Sequence, residues 1–208
     1  MAKGLIGRKI GMTRIFDENK NETPVTIIEC GPCYVSEIRT KDKHGYDAVQ
    51  LAFLKTKEKH LTKPELNHLK KNNLPPFKIL REFRDFGQDV QIAQEINVSI
   101  FQKGQIVKIQ GKTKGKGFQG VIKRHGFGGG RMTHGSKFHR APGSLGASTF
   151  PSEVVKGKRM PGRMGSNTVT ITNLEIVDID EENNLLFVKG SVPGPKKSIL
   201  KIEVLKWF

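Results

Sequence analysis

Residues 111–165, GKTKGKGFQGVIKRHGFGGGRMTHGSKFHRAPGSLGASTFPSEVVKGKRMPGRMG, limit what this chain can fold into more than any other stretch. They hold 12 of the 36 Lys and Arg, 14 of the 23 Gly, and a single acid, Glu153. Twelve cations less one acid leave +11 here, and the other 153 residues carry +5 of the formal +16. The apolar residues, among them Phe118, Val121, Ile122, Phe127, Met132 and Phe138, keep neither a helical nor a strand period beyond a few positions. Such a segment cannot bury enough surface to offset the entropy of ordering its glycines. It is therefore expected to be mobile alone in water and to take shape when something densely negative neutralises it.

Outside that stretch there is material for a core. A chain of 208 residues holds one good-sized domain, or one domain with insertions. A pI near 9.9 points to a polyanionic partner. A membrane surface fits poorly, because no apolar run reaches the roughly 18 residues of a spanning helix. The cations also lie among glycines and not on an amphipathic face. Nucleic acid is favoured. The opening MAKGLIGRKIGMTRIF threads charges through its apolar residues and so lacks a signal-peptide core, and Cys30 and Cys33 alone make no secreted disulfide framework. A cytoplasmic location is the simplest reading.

The rest of the chain reads as β-structure. Strands are predicted over 4–16, interrupted by Gly4, Gly7 and Gly11, then over 23–30, 34–40 and 47–54, with turns at 17–21, 31–32 and 42–45. From residue 55 the character changes. Thr62 as N-cap, Pro64 in the first turn and Glu65 closing a capping box predict a helix to about residue 74, stopped by Pro75 and Pro76. Residues 78–86 suit either a strand or a short helix. Strands follow over 95–101 and 105–110, and after the basic stretch over 168–180, 185–188 and 199–205. The spacing predicts a mainly β fold. It is an antiparallel β-barrel split by a small α+β insertion and a long irregular basic extension. The parts are barrel at 1–54, insertion at 55–90, barrel at 91–118, basic loop at 119–165, and barrel at 166–208.

Several motifs tempt and fail. Cys30-Gly31-Pro32-Cys33 has the form of a redox dithiol, but that chemistry needs the first sulfur at a helix N-terminus, and a strand-like run follows. Two small buried residues around a Gly-Pro turn are expected instead, and zinc would need two more ligands. Gly115-Lys116-Gly117-Phe118-Gln119-Gly120 matches a dinucleotide fingerprint, but no helix is expected after Gly120 and no acid appears before Glu153. Residues 104–113 end like a phosphate loop but carry six residues between the glycines where four are required. His125, His134 and His139 lack carboxylate companions and sit beside Arg124, Arg131, Lys137 and Arg140, which would repel a metal ion. With one carboxylate in the stretch, no paired acid and base exists, and no catalytic residue is assigned.

The same residues suit RNA. Lys112, Lys114, Lys116, Lys123, Arg124, Arg131, Lys137, Arg140, Lys156, Lys158, Arg159 and Arg163 supply counter-charge to phosphates. Glycine lets the backbone approach phosphates closely. Phe118, Phe127, Phe138, His125, His134 and His139 offer flat faces to bases. A solvated face normally mixes both signs, and this stretch does not. An arm without helix fits irregular RNA better than duplex DNA.

Several segments resemble a known family, the bacterial form of large-subunit ribosomal protein three. They are GLIGRKIGMTRIF, the GPC turn, LREFR at 80–84, GKGFQGVIKRHGF at 115–127, HGS at 134–136, HRAPGSLG at 139–146, VKGKRMPGRMG at 155–165 and ENNLLFVKGSVPGP at 182–195. The resemblance implies a barrel of the kind found in translation factors. It implies direct, early binding to 23S-type rRNA, with an extension at about 124–163 that organises rRNA on the tRNA-arrival side of the peptidyl-transferase centre. Neighbouring large-subunit proteins are the other implied partners. It further implies residence in the ribosome, cytoplasmic or organellar, with no cofactor beyond Mg ions belonging to the rRNA, no small-molecule substrate, no membrane and no homo-oligomer. Two departures stand out: Lys108 replaces the family's usual Asp or Asn, adding positive charge beside the arm, and Thr149 occupies the place of a glutamine methylated in some members. The rival readings are a dithiol oxidoreductase, a free RNA chaperone or translation factor, and an architectural DNA-binding protein.

Overall fold

The structure, a computed structural model, describes residues 3–16, 20–84, 86 and 90–205. Most of the turn expected over 17–21 lies outside them. The elements run β1 (Gly4–Phe16), β2 (Glu22–Cys30), β3 (Cys33–Arg39), α1 (Lys41–His44), β4 (Ala48–Lys55), α2 (Lys63–Lys71), β5 (Phe77–Arg84), β6 (Glu95–Ile96), β7 (Ile106–Lys112), β8 (Gly117–Gln119), α3 (Val121–His125), β9 (Gly162–Met164), β10 (Thr168–Asp180), β11 (Leu185–Lys189) and β12 (Ile199–Val204).

Six strands close an antiparallel barrel in the order β1-β12-β7-β10-β11-β2. On β7, β11 and β12 burial alternates, putting Val107, Ile109, Leu186, Val188, Leu200 and Ile202 inside. Each such side chain gains about 1.5–3 kcal/mol by leaving water. That alternation also pins the register, since a one-residue slip would turn every inward side chain to solvent. The glycines of β1 serve close approach. A β-carbon on Gly7 would lie 2.7 Å from Ile28 Cγ2 and 2.9 Å from Cys30 Sγ, so only glycine lets β1 settle on β2 here.

The strands at 33–39 and 48–55 are not barrel strands. They belong to a second sheet of order β5-β4-β3-β6, in which 77–84 is a strand and not a helix. The reason is on β4, AVQLAFLK, where Ala48, Val49, Leu51, Ala52 and Phe53 are all buried. A strand buried on both faces needs a layer on each side. Val49, Leu51 and Phe53 join the same cluster as the barrel residues, whereas Ala52 packs with Leu69 of α2, Leu74 and Phe77. The strand expected over 95–101 keeps only two paired residues, because Val98 and Phe101 enter the core from a 3₁₀ turn at Val98–Ile100.

The chain forms two compact units, 1–112 with 168–208, and Thr113–Asn167. Residues 117–119 pair with β9 and not with a barrel strand.

Candidate nucleic-acid interface

The basic segment starts and ends on one barrel ladder. Lys112, the last residue of β7, is the partner of Thr168, the first of β10. Within the segment, the Thr113 amide donates to the Asn167 carbonyl at 2.9 Å, and the Lys116 amide to the Met164 carbonyl at 2.9 Å. β8 and β9 then pair antiparallel: Gly117 with Met164, Phe118 with Arg163, and Gln119 with Gly162.

A helix does follow Gly120, contrary to the sequence expectation. α3 is five residues long, buries Val121, and ends on Gly126 in the left-handed region. Its cations Lys123 and Arg124 lie in the last turn, where the helix dipole favours positive charge. The dinucleotide reading still fails, because all the strand pairs here are antiparallel and no βαβ unit surrounds the helix. One carbonyl gathers the return chain. Arg124 Nη1 donates to the Met160 carbonyl at 2.7 Å, and His125 Nε2 lies 3.1 Å from it. A β-carbon on Gly162 would meet the Arg124 guanidinium at 2.5 Å, so glycine makes room for that side chain.

The expectation of a segment without any shape of its own therefore fails at its two ends. Backbone hydrogen bonds and glycine-permitted close approaches do what side-chain burial cannot. Between Gly126 and Met160 there is no helix or strand, only turns and bends. Even there the backbones pack closely. A β-carbon on Gly130 would collide with the Phe138 carbonyl oxygen, and one on Gly129 would sit 2.7 Å from that of His139.

Of the sixteen sequence-chosen residues, Lys112, Lys114, Lys116, Phe118, Lys123, Arg131, His134, Lys137, Arg140, Lys156, Lys158, Arg159 and Arg163 are exposed. Arg124, His125 and His139 are half-buried. Arg124 and His125 are turned onto Met160 and act first in holding the fold of the segment. Among the described residues His139 Nδ1 is buried without a hydrogen-bond partner. Among the described residues, the ion pairs lie outside the segment, and neither its cations nor Glu153 takes part in one. Composition carried no signal for Met160, whose backbone oxygen is the shared acceptor, or for Gln119, whose side chain donates to the Lys116 carbonyl.

Lys108 differs from expectation. Its Nζ lies 3.0 Å from Glu203 Oε2, while Lys201 Nζ holds the other carboxylate oxygen at 2.9 Å. Burial pushes the Glu203 carboxyl up, but the hydrogen bonds and charges of Lys201 and Lys108 outweigh it and hold the group below its ordinary range. The lysine's charge is thus shared with a carboxylate.

The cysteine pair joins the end of β2 to the start of β3, with no helix at either sulfur. Burial pushes the Cys30 thiol well up, and Cys33 to about 12 although it donates to the Ile6 carbonyl. A dithiol redox centre needs the opposite shift. Among the described residues no three His, Cys, Asp or Glu are placed to hold a metal ion.

A closed antiparallel barrel carrying a long basic segment, whose cations find no acid within it, defines a class: β-barrel proteins with a cationic extension. Within that class the chain belongs to the ribosomal protein L3 family, whose model matches residues 78–206. The large ribosomal subunit protein uL3c of Guillardia theta is 50% identical over 204 residues, covering 98% of this chain and 100% of that protein. The large ribosomal subunit protein uL3 of Brachyspira pilosicoli is 49% identical over 200 residues, 96% of this chain and 92% of that protein. That of Chloroherpeton thalassium is 50% identical over 205 residues, 97% and 99% respectively. The chain is a structural ribosomal protein and not an enzyme.

Proposed function

We propose that this protein binds 23S-type rRNA directly, supports early assembly of the large subunit, and organises rRNA near the peptidyl-transferase centre through residues 113–167. Neighbouring large-subunit proteins share its surroundings. Mg ions enter only as part of the rRNA, and no membrane, small-molecule substrate or second copy of the chain is required.

One observation carries this reading. Unit 113–167 holds eleven Lys and Arg against Glu153, and none of them finds a carboxylate within the segment. Eleven like charges on one short stretch repel one another, and a folded polyphosphate relieves that repulsion while releasing its own counter-ions. If most of these cations met phosphates, log affinity would fall against log salt with a slope of about minus seven to minus ten. Family membership and the relatives' names, which place them in the large ribosomal subunit, support the same partner.

Sucrose-gradient sedimentation of the cellular protein is the test. It is expected to co-migrate with the large subunit and its precursors, and to stay there in moderate salt. Recovery mainly in the soluble top fractions would refute the reading.

A further inference from the structure

The antiparallel ladder of β8 and β9 puts two side chains of complementary chemistry side by side. Phe118 and Arg163 are direct partners across the ladder. Residues opposite one another in an antiparallel pair project to the same face, with β-carbons about 4.5–5.5 Å apart. The Phe118 ring is 75% exposed. Among the described residues neither side chain is taken: the ring meets no other ring or cation, and Arg163 makes no hydrogen bond or ion pair. The backbone beneath them is held by the Lys116 amide bond to Met164, and Gln119 is occupied with the Lys116 carbonyl.

We propose that this pair is the seat of a single unpaired nucleotide, with its base stacked on Phe118 and its phosphate held by Arg163. The inference deepens the RNA-binding reading and rests on it. Two features choose the ligand class. An aromatic ring left in water gains most from another flat π-face, and a base in a duplex has none to offer because both its faces are stacked. Arg163 across the ladder from the ring, and Lys114, Lys116 and Lys123 within five residues of it in sequence, are exposed with no acid among them, so an apolar protein surface would bury charge without compensation. A nucleotide carries the base and the anion in one unit.

The test uses the full chain and a 12-residue oligoadenylate labelled for anisotropy, with a fully paired RNA hairpin as control. Phe118→Ala is expected to weaken oligoadenylate binding about ten- to a hundredfold while leaving the salt slope unchanged. Arg163→Gln is expected to reduce that slope by about 0.7. Because the ring is exposed, neither change disturbs a core. Phe118→Trp, in a background where the chain's one tryptophan is removed by Trp207→Phe, adds a direct reporter. Its emission is expected to be quenched by saturating oligoadenylate, and not by the paired hairpin or by heparin. Wild-type affinity in Phe118→Ala, or an unquenched indole at saturation, overturns the nucleotide seat while RNA binding itself stands. Equal quenching by heparin overturns the ligand class. A wild-type protein that binds neither RNA sinks both readings.

Discussion

At the scale of single residues, local environment decides what a side chain can do, and Cys30 and Cys33 are the clearest instance. Their spacing has redox form, yet both sulfurs are buried and their thiols are pushed up. At pH 8 a thiol pushed up to about 12 stays protonated, whereas an ordinary exposed thiol already carries a reactive thiolate fraction. The native protein is expected to resist a disulfide-exchange reagent at pH 8, with both thiols reacting promptly once denaturant is added; reaction traces at 412 nm check this. Folding raises these pKa values, so the stability that comes with the protonated thiols is complete below pH 9 and is lost as pH climbs toward 12. Arg124 is a second instance. Its charge was legible, but its place on the Met160 carbonyl was not, because that bond joins residues 36 apart.

At the scale of elements, periodicity and capping read well where one face meets water, and badly where none does. α2 is such a success: the Glu65 carboxylate accepts from the Thr62 amide at 3.0 Å and from its hydroxyl at 2.8 Å, and the helix stops at Lys71. These bonds, the backbone one foremost, hold the Glu65 carboxyl below its ordinary range. The helix covers the second sheet through Leu69, which is fully buried against Ala52, Leu74 and Phe77. Leu69→Ala is expected to destabilise the protein by about 2–5 kcal/mol, whereas Lys70→Ala, losing an exposed pair with Glu58, stays within about 1 kcal/mol. Denaturant midpoints of the two variants check the contrast. β4 shows the failure. Its run of apolar residues was visible as a strand, and its near-continuous burial was the available sign of a second layer, but the notion of a single barrel left no place for one.

At the scale of the whole molecule, the chain separates its tasks. The barrel and its second sheet share one apolar cluster, and the unit at 113–167 is held by backbone bonds and a few side chains. Gln119 and Gly162 are partners across the β8–β9 ladder, so a two-residue Asn-Gly turn can join them and replace 120–161. That variant is expected to melt cooperatively with the barrel's near-UV signature intact. It is also expected to lose most of the salt dependence of RNA binding, since eight of the segment's eleven cations go with the excised residues. Calorimetry and salt titrations check the two halves of the expectation separately.

Composition and local pattern alone determined that this protein has a β core, where most of its barrel and sheet strands lie, and that one glycine-loosened cationic stretch stands apart from them. These follow from charge and side-chain period, properties that each residue carries wherever it is placed. Only the tertiary structure decided which strands close the barrel and which form the second sheet, and which cations are spent on carbonyls or carboxylates. It also decided that Phe118 stands beside Arg163. Each of those depends on which distant residues meet, and that is settled by how layers stack and how closely two backbones can approach.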